Sequence, residues 1–245
     1  MNSKYPPTVM AETPANPLWT ITDIAATAEI AHKAGALLAV DSTTASPVLT
    51  RPLALGADIV MHSATKYLNG HSDVIAGVLI TSENSEYWKR VKMVRAQIGG
   101  TMGSFEAWLL LRGMRTLFLR VDAACRSAQR IAEHFEGHVQ IAEVLYPGLA
   151  SFAGHAVAAK QMQGGFGGML SIRVKAGEAA AIATAANVEL WKRATSLGGV
   201  ESLIEHRASV EGTGTPVPFD LLRLSVGIEN VDDLIADLAQ ALDAV

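Results

Sequence analysis

The order of elements at the start of the chain restricts the fold most. Residues 8–11 (TVMA) read as a short apolar strand, residues 22–34 (TDIAATAEIAHKA) carry helical spacing, and residues 36–40 (ALLAV) are a continuous apolar run. Thr20 or Thr22 supplies the expected helix cap and Gly35 the stop. Strand, helix and strand with a loop at each carboxyl end make a βαβ unit, which belongs to a parallel sheet covered by helices. Residues 58–61 (DIVM) and 74–80 (VIAGVLI) extend the strand pattern after a turn at Gly56, so residues 8–82 read as one α/β segment.

Residues 85–135 are helical almost throughout, with expected breaks near residues 99–103 and around Gly113. Beyond Gly137 the pattern is mixed: strands at 140–145, 169–174 and 221–226, helices at 177–187 and 231–244. The expectation is an α/β protein with two domains, residues 1–136 including the linking helices and a smaller α/β domain over residues 137–245. A chain of 245 residues, 49% hydrophobic, builds a core without disulfides or metal. The single cysteine, Cys125, lies in a helical pattern and reads as a buried structural thiol.

Charge excludes some functions. Twenty basic and 24 acidic residues give a net charge of −4 with no block of one sign, so no nucleic-acid partner is expected. No apolar run reaches the roughly 18 residues a spanning helix needs, and the opening MNSKYPPTVM has no apolar signal stretch. The expectation is a cytoplasmic protein without a membrane partner.

The chemistry concentrates in residues 61–73, MHSATKYLNGHSD. A lysine in a loop is ordinarily just solvated, but Lys66 follows DIVM as Asp41 follows ALLAV. Ligands of open α/β sheets bind beyond the carboxyl ends of the strands, so one sheet edge presents both residues. A lysine amine and a carboxylate suit pyridoxal phosphate: the amine forms a Schiff base and the aspartate keeps the pyridine nitrogen protonated. Ser63 and Thr65 add hydroxyls suited to phosphate, although Asp41 alone also reads as a strand-end cap. Arg223 stands among leucines in an apolar strand and needs a partner there. His32, His62 and His71 share no metal-ligand spacing, so no metal is expected, and Gly164–Gly168 precedes a strand, the wrong order for a phosphate loop.

The stretches ETPANP (12–17), VDSTTASP (40–47), SATKYLNGHSDVIAG (63–77), LLLRGMRTL (109–117), SLGGVESL (196–203) and LLRLSVGIEN (221–230) follow one another in register. Together they resemble the Cys/Met-metabolism, or trans-sulfuration, family of pyridoxal-phosphate enzymes, with cystathionine γ-synthase-, cystathionine γ-lyase- and methionine γ-lyase-like members. The resemblance implies part of a fold-type-I, aspartate-aminotransferase-like large domain with a mostly parallel sheet, followed by the smaller C-terminal domain. It gives Lys66 the Schiff base and proton transfers, Asp41 the pyridinium nitrogen, Ser63 and Thr65 the phosphate, and Thr43 the ring face. Asn16 would meet the cofactor oxygen or the substrate carboxylate, and Arg223 would grip that carboxylate with help from Ser196.

The implied function is a carbon–sulfur lyase acting by β- or γ-elimination on cystathionine or a related sulfur amino acid. The alternative is γ-replacement on an activated homoserine, as a γ-synthase or sulfhydrylase performs it. A homo-oligomer, dimer or tetramer, is implied as well. The family carries a longer segment ahead of ETPANP, which holds further strands, a glycine-containing phosphate cradle and a tyrosine that stacks on the ring, and Tyr5 is no substitute. The expectations are therefore an uncovered parallel edge and weak or no binding of pyridoxal phosphate by the chain alone. A partial product, one half of a split enzyme complemented by an N-terminal segment, and a binding subunit without catalysis remain open. Thr195, before SLGG, decides nothing about substrate, and residues 206–220 (HRASVEGTGTPVPFD) are shorter than the family's HPA-type stretch and lack its threonine-histidine pair.

Overall fold

The computed structural model describes residues 5–212 and 214–245. Its first part runs β1 (Thr8–Glu12), α1 (Ile24–Lys33), β2 (Leu37–Asp41), α2 (Ser46–Leu49), a 3-10 turn (Pro52–Leu55), β3 (Ile59–Ser63) and β4 (Gly77–Ile80). These strands form one sheet in the order β1-β2-β3-β4. The first three are parallel, with Glu12 opposite Asp41 and Asp41 opposite Met61, and β4 returns antiparallel to β3. Helix α1 covers the sheet with Ile24, Ala28 and Ala31 packed on Leu38 and Val40. Its cap is Asp23, whose carboxylate accepts the Ala26 N–H at 3.0 Å, rather than either threonine. Thr20 is drawn into a bridge with Ala15, and the Thr22 N–H goes to the Thr13 hydroxyl, so neither is placed to cap.

Three helices follow: α3 (Glu86–Ile98), α4 (Ser104–Met114) and α5 (Leu117–Phe135). The helical run breaks around Gly113 as expected, with the turn at residues 115–116, and Gly113 itself lies in the last turn of α4. Its lack of a side chain serves packing: a Cβ there would sit 2.2 Å from the Asn69 carbonyl oxygen, at the end of the Lys66 turn. Helix α5 buries one continuous face, from Leu117 and Val121 through Ala128 to Phe135. Cys125 lies on that face, and burial pushes its thiol up to about 11. Such a thiol is inert at neutral pH.

The last part comprises β5 (Ile141–Leu145), α6 (His155–Gln161), β6 (Met169–Val174), α7 (Glu178–Asn187), β7 (Lys192–Arg193), β8 (Leu203–His206), α8 (Arg207–Glu211), β9 (Leu221–Ser225) and α9 (Val231–Asp243). Its sheet has the order β5-β6-β9-β8-β7 and is antiparallel except between β7 and β8. The sequence did not announce α6, β7, β8 or α8, which are too short for periodicity to identify. Helices α5, α7 and α9 supply Phe135, Ala181 and Leu238 to the core beneath this sheet.

A second apolar cluster joins the two parts. It gathers Trp19, Tyr67, Leu110, Cys125, Met162, Met169 and Leu221. Trp19 Nε1 donates to the Ser171 hydroxyl at 2.9 Å, and that hydroxyl donates to the Pro17 carbonyl at 2.8 Å. The loop carrying Asn16 is thereby pinned to β6, beside the strand that carries Arg223. Among the described residues no helix is long and apolar enough to cross a membrane.

Candidate active site

Asp41 ends β2 and Ser63 ends β3, so the carboxyl edge of the first sheet presents both. Thr43 ties them: its hydroxyl donates to Asp41 Oδ1 at 2.6 Å and accepts the Ser63 N–H at 2.8 Å, while its own N–H reaches Oδ1 at 2.9 Å. Glu12 lies next in register, and burial raises its carboxyl above the ordinary range, with Asp41 adding to the effect. Immediately after β3 the chain turns tightly, Lys66 N–H to Ser63 O at 3.1 Å and Gly70 N–H to Lys66 O at 2.8 Å.

A buried arginine holds that turn. Arg120 Nη1 donates to the Tyr67 carbonyl at 2.9 Å, and Nη2 donates to Leu68 O at 3.4 Å and Gly113 O at 2.9 Å. Nothing local signals this role, because Arg120 lies in a helix more than fifty residues away. The apolar side of the turn is packed by Gly198, where a Cβ would come within 2.9 Å of the Tyr67 ring. Only glycine lets the 196–199 loop approach so closely, and that approach delivers Ser196.

Ser196 has φ of 91°, a conformation that costs a residue with a side chain roughly 1–3 kcal/mol. Two contacts hold the loop there: the Gly198 N–H donates to the Ser225 hydroxyl at 2.9 Å, and Arg223 Nη2 donates to the Ser196 carbonyl at 2.9 Å. The strained residue places its hydroxyl 2.9 Å from Lys66 Nζ. Lys66 is half-buried, and burial lowers its pKa below the ordinary lysine value; Arg223 and Arg207 add to the shift and Glu205 opposes it. A depressed amine pKa leaves more of the neutral nucleophile at a given pH.

Arg223, 4% exposed, has the partner its apolar strand requires. Glu205 stands opposite it on β8, with Oε2 2.6 Å from Arg223 Nη2. Nη1 reaches Asn16 Oδ1 at 3.2 Å, so Asn16, Ser196 and Arg223 converge. Glu205 and its second cation, Arg207 at 3.1 Å, are the site residues the sequence reading missed. No local pattern signalled them, because β8 is four residues long and only its register against β9 sets Glu205 opposite Arg223. The Thr65 hydroxyl is engaged elsewhere: it donates to Ala76 O at 3.2 Å and accepts the Ala76 N–H at 3.0 Å, fixing the approach to β4. A cavity of about 570 Å³ lined by Thr65, Asp73, Ile75, Thr195 and Ser196 opens beside this group.

The Cys/Met metabolism PLP-dependent enzyme family matches residues 3–243. The chain belongs to that family. Cystathionine gamma-synthase of Mycobacterium tuberculosis (strain H37Rv) is 48% identical over 239 residues, covering 96% of this chain and 61% of the relative. L-methionine gamma-lyase of Porphyromonas gingivalis is 46% identical over 248 residues, covering 97% of this chain and 61% of the relative. The crystal structure of metB from Corynebacterium glutamicum superimposes with a TM-score of 0.94 at 45% identity, over 97% of this chain and 63% of that one. The chain thus spans about three fifths of the length of these relatives, and its α/β architecture is the one they share.

Proposed function

We propose that this chain serves a pyridoxal-phosphate-dependent enzyme of sulfur amino-acid metabolism that makes or breaks carbon–sulfur bonds, with Lys66 as the attachment point of the cofactor. The observation that carries the reading is the Lys66 amine: half-buried, lowered in pKa, paired with a hydroxyl rather than a carboxylate, and set on the sheet edge that carries Asp41. The donor set suits the cofactor. A nucleophilic amine suits its aldehyde, Asp41 suits a protonated ring nitrogen, and the Ser63 hydroxyl, with no protein partner among the described residues, suits a phosphate oxygen. Thr43, locked on Asp41, lies against the ring face in this reading. Thr65 can join the phosphate only by giving up its proton's contact with Ala76.

Bound there, pyridoxal phosphate supplies an electron sink for a substrate carbanion. The protein's own groups do the rest. Arg223, with Asn16 and the Ser196 carbonyl around it, orients the substrate carboxylate. Lys66 Nζ, held by the Ser196 hydroxyl, moves protons at the substrate carbons. Elimination on a sulfur amino acid such as cystathionine is the reading taken from the sequence, and the lyase relative supports it. Replacement on a homoserine derivative is the second reading, supported by the γ-synthase relative at 48% identity. Product analysis separates them: ammonia with a keto acid marks elimination, a new thioether marks replacement.

The exposed surface of the first sheet supports a partner. On the first sheet's outer strands, Val9, Met10, Leu79 and Ile80 are exposed, and α3 buries no residue. Such surface favours self-association, dimer or tetramer, or a complementing N-terminal segment. In the proposed enzyme residues 1–136 and 137–245 act as two domains, in a cytoplasmic setting. Borohydride reduction in the presence of pyridoxal phosphate, followed by peptide mapping, tests the central claim. Label on Lys66 that strengthens on co-expression with a family-type N-terminal segment supports a split enzyme. No label in either case supports a binding subunit without catalysis.

A further inference from the structure

Arg223 is not free to receive a carboxylate. A guanidinium grips one through two parallel N–H bonds, from Nη1 with Nη2 or from Nε with Nη2. Both pairs run through Nη2, which here lies between Glu205 Oε2 at 2.6 Å and the Ser196 carbonyl at 2.9 Å. While Glu205 is in place, neither pair is open. With Arg223 4% and Glu205 6% exposed, the two charges are withdrawn from water and hold each other.

Glu205 has a second cation. Arg207 Nη1 donates to the same Oε2 at 3.1 Å, and Arg207 is anchored in turn by Glu211 at 2.8 Å, whose other oxygen takes the Thr215 hydroxyl at 2.6 Å. Arg223, Glu205, Arg207 and Glu211 alternate in sign. Oε1 of Glu205 is buried without a partner, an acceptor able to take a further donor. A cavity of about 330 Å³ lined by Arg193, Thr195, Glu205 and Ser209 gives that side chain somewhere to move. The first residues of the segment that departs from the family's HPA-type stretch, from His206 onward, supply Arg207 and Glu211.

We propose that Glu205 is a resident carboxylate on Arg223 which an incoming substrate carboxylate displaces, and that Arg207 retains Glu205 when it moves. This rests on the reading of Arg223 as the carboxylate grip. The exchange leaves no buried charge alone at any stage: Arg223 holds either Glu205 or substrate, and Glu205 always keeps Arg207. Glu205 and Arg207 are therefore positioning residues, and they set the affinity for the carboxylate rather than the chemistry that follows.

The test needs neither cofactor nor turnover. The arginine Nε–H resonances of the chain are titrated with sodium acetate against sodium chloride of equal ionic strength, Arg223 being assigned by the signal that Arg223→Lys removes. Glu205→Gln is expected to lower the acetate midpoint of Arg223 about tenfold, and Arg207→Leu to raise it about tenfold by leaving Glu205 on Arg223 alone. Arg207→Lys restores the original midpoint, and in the double variant the Arg207→Leu effect disappears. Shifts of the same sign in both single variants, additive in the double, or unchanged midpoints, overturn the proposal. Should Glu205→Gln fail to fold, the pair Arg207→Leu and Arg207→Lys still decides it. Absence of borohydride label on Lys66, both alone and with a family-type N-terminal segment, with the acetate shifts intact removes the enzymatic reading and leaves the exchange standing; label with unshifted midpoints removes the exchange alone.

Discussion

The two sheets contribute to one site on different terms. The first carries Asp41, Ser63 and Lys66 at its carboxyl edge, yet its own β1 leaves Met10 62% exposed. The second carries Arg223 on β9, which is buried along its whole length between β6 and β8. The difference suits the role that the proposed function gives each group. An amine that reacts needs access and a pKa within reach, so it sits half-buried in a turn. A guanidinium that fixes the orientation of a charge needs rigidity, and a central strand supplies it.

The largest expected effect lies on the open side. If Lys66 anchors the cofactor as proposed, Lys66→Met abolishes the borohydride label gained on co-expression with a family-type N-terminal segment, while changing unfolding stability by less than about 1 kcal/mol. Label persisting on another lysine breaks the assignment. On the closed side, Leu222→Ala in β9 is expected to cost about 2–5 kcal/mol, the price of a cavity in a fully buried strand. Met10→Ala on β1 stays within about 0.5 kcal/mol when both variants are unfolded in urea, and equal losses at the two positions break the contrast between the sheets.

Arg120→Met falls between these. It strands the carbonyls of Tyr67 and Leu68, while Gly113 O keeps the Thr116 N–H and hydroxyl, and is expected to cost about 1–3 kcal/mol. Amide exchange in the 64–70 turn should quicken with it; a loss of stability without faster exchange there shows that Arg120 does not pin the turn.

The smallest effect is a pH dependence. At Asp237 burial works to raise the carboxyl, but the N–H groups of Glu189, Trp191 and Leu190 and the Gln240 amide outweigh it and hold the pKa below the usual range. Its contribution is therefore present above the unfolded-state value of about 3.9 and is lost as pH falls from there through the folded value. Asp237→Asn is expected to flatten the acid limb of the stability curve in that window and to leave Lys66 labelling unchanged.

Much of this was legible in the chain. Periodicity found β1, α1, β2 and β3 and the long helical middle, because each presents an uninterrupted apolar pattern. It missed α6, β7, β8 and α8, whose few residues carry too little pattern, and it showed in Gly113 only a helix end, because spacing alone does not reveal the Asn69 backbone pressed against it. Within the site, the demand of Arg223 for a partner was legible and the identity of that partner was not.

The sequence by itself determined that a lysine and an aspartate follow neighbouring strands of an α/β sheet, since strand order and loop position are local properties. Only the tertiary structure decided that Ser196 meets Lys66 across 130 residues and that Glu205 lies opposite Arg223. Those meetings depend on the register between β8 and β9 and on how the 196–199 loop seats on Tyr67. A slip of one residue in that register would turn Glu205 to the other face, because side chains alternate along a strand.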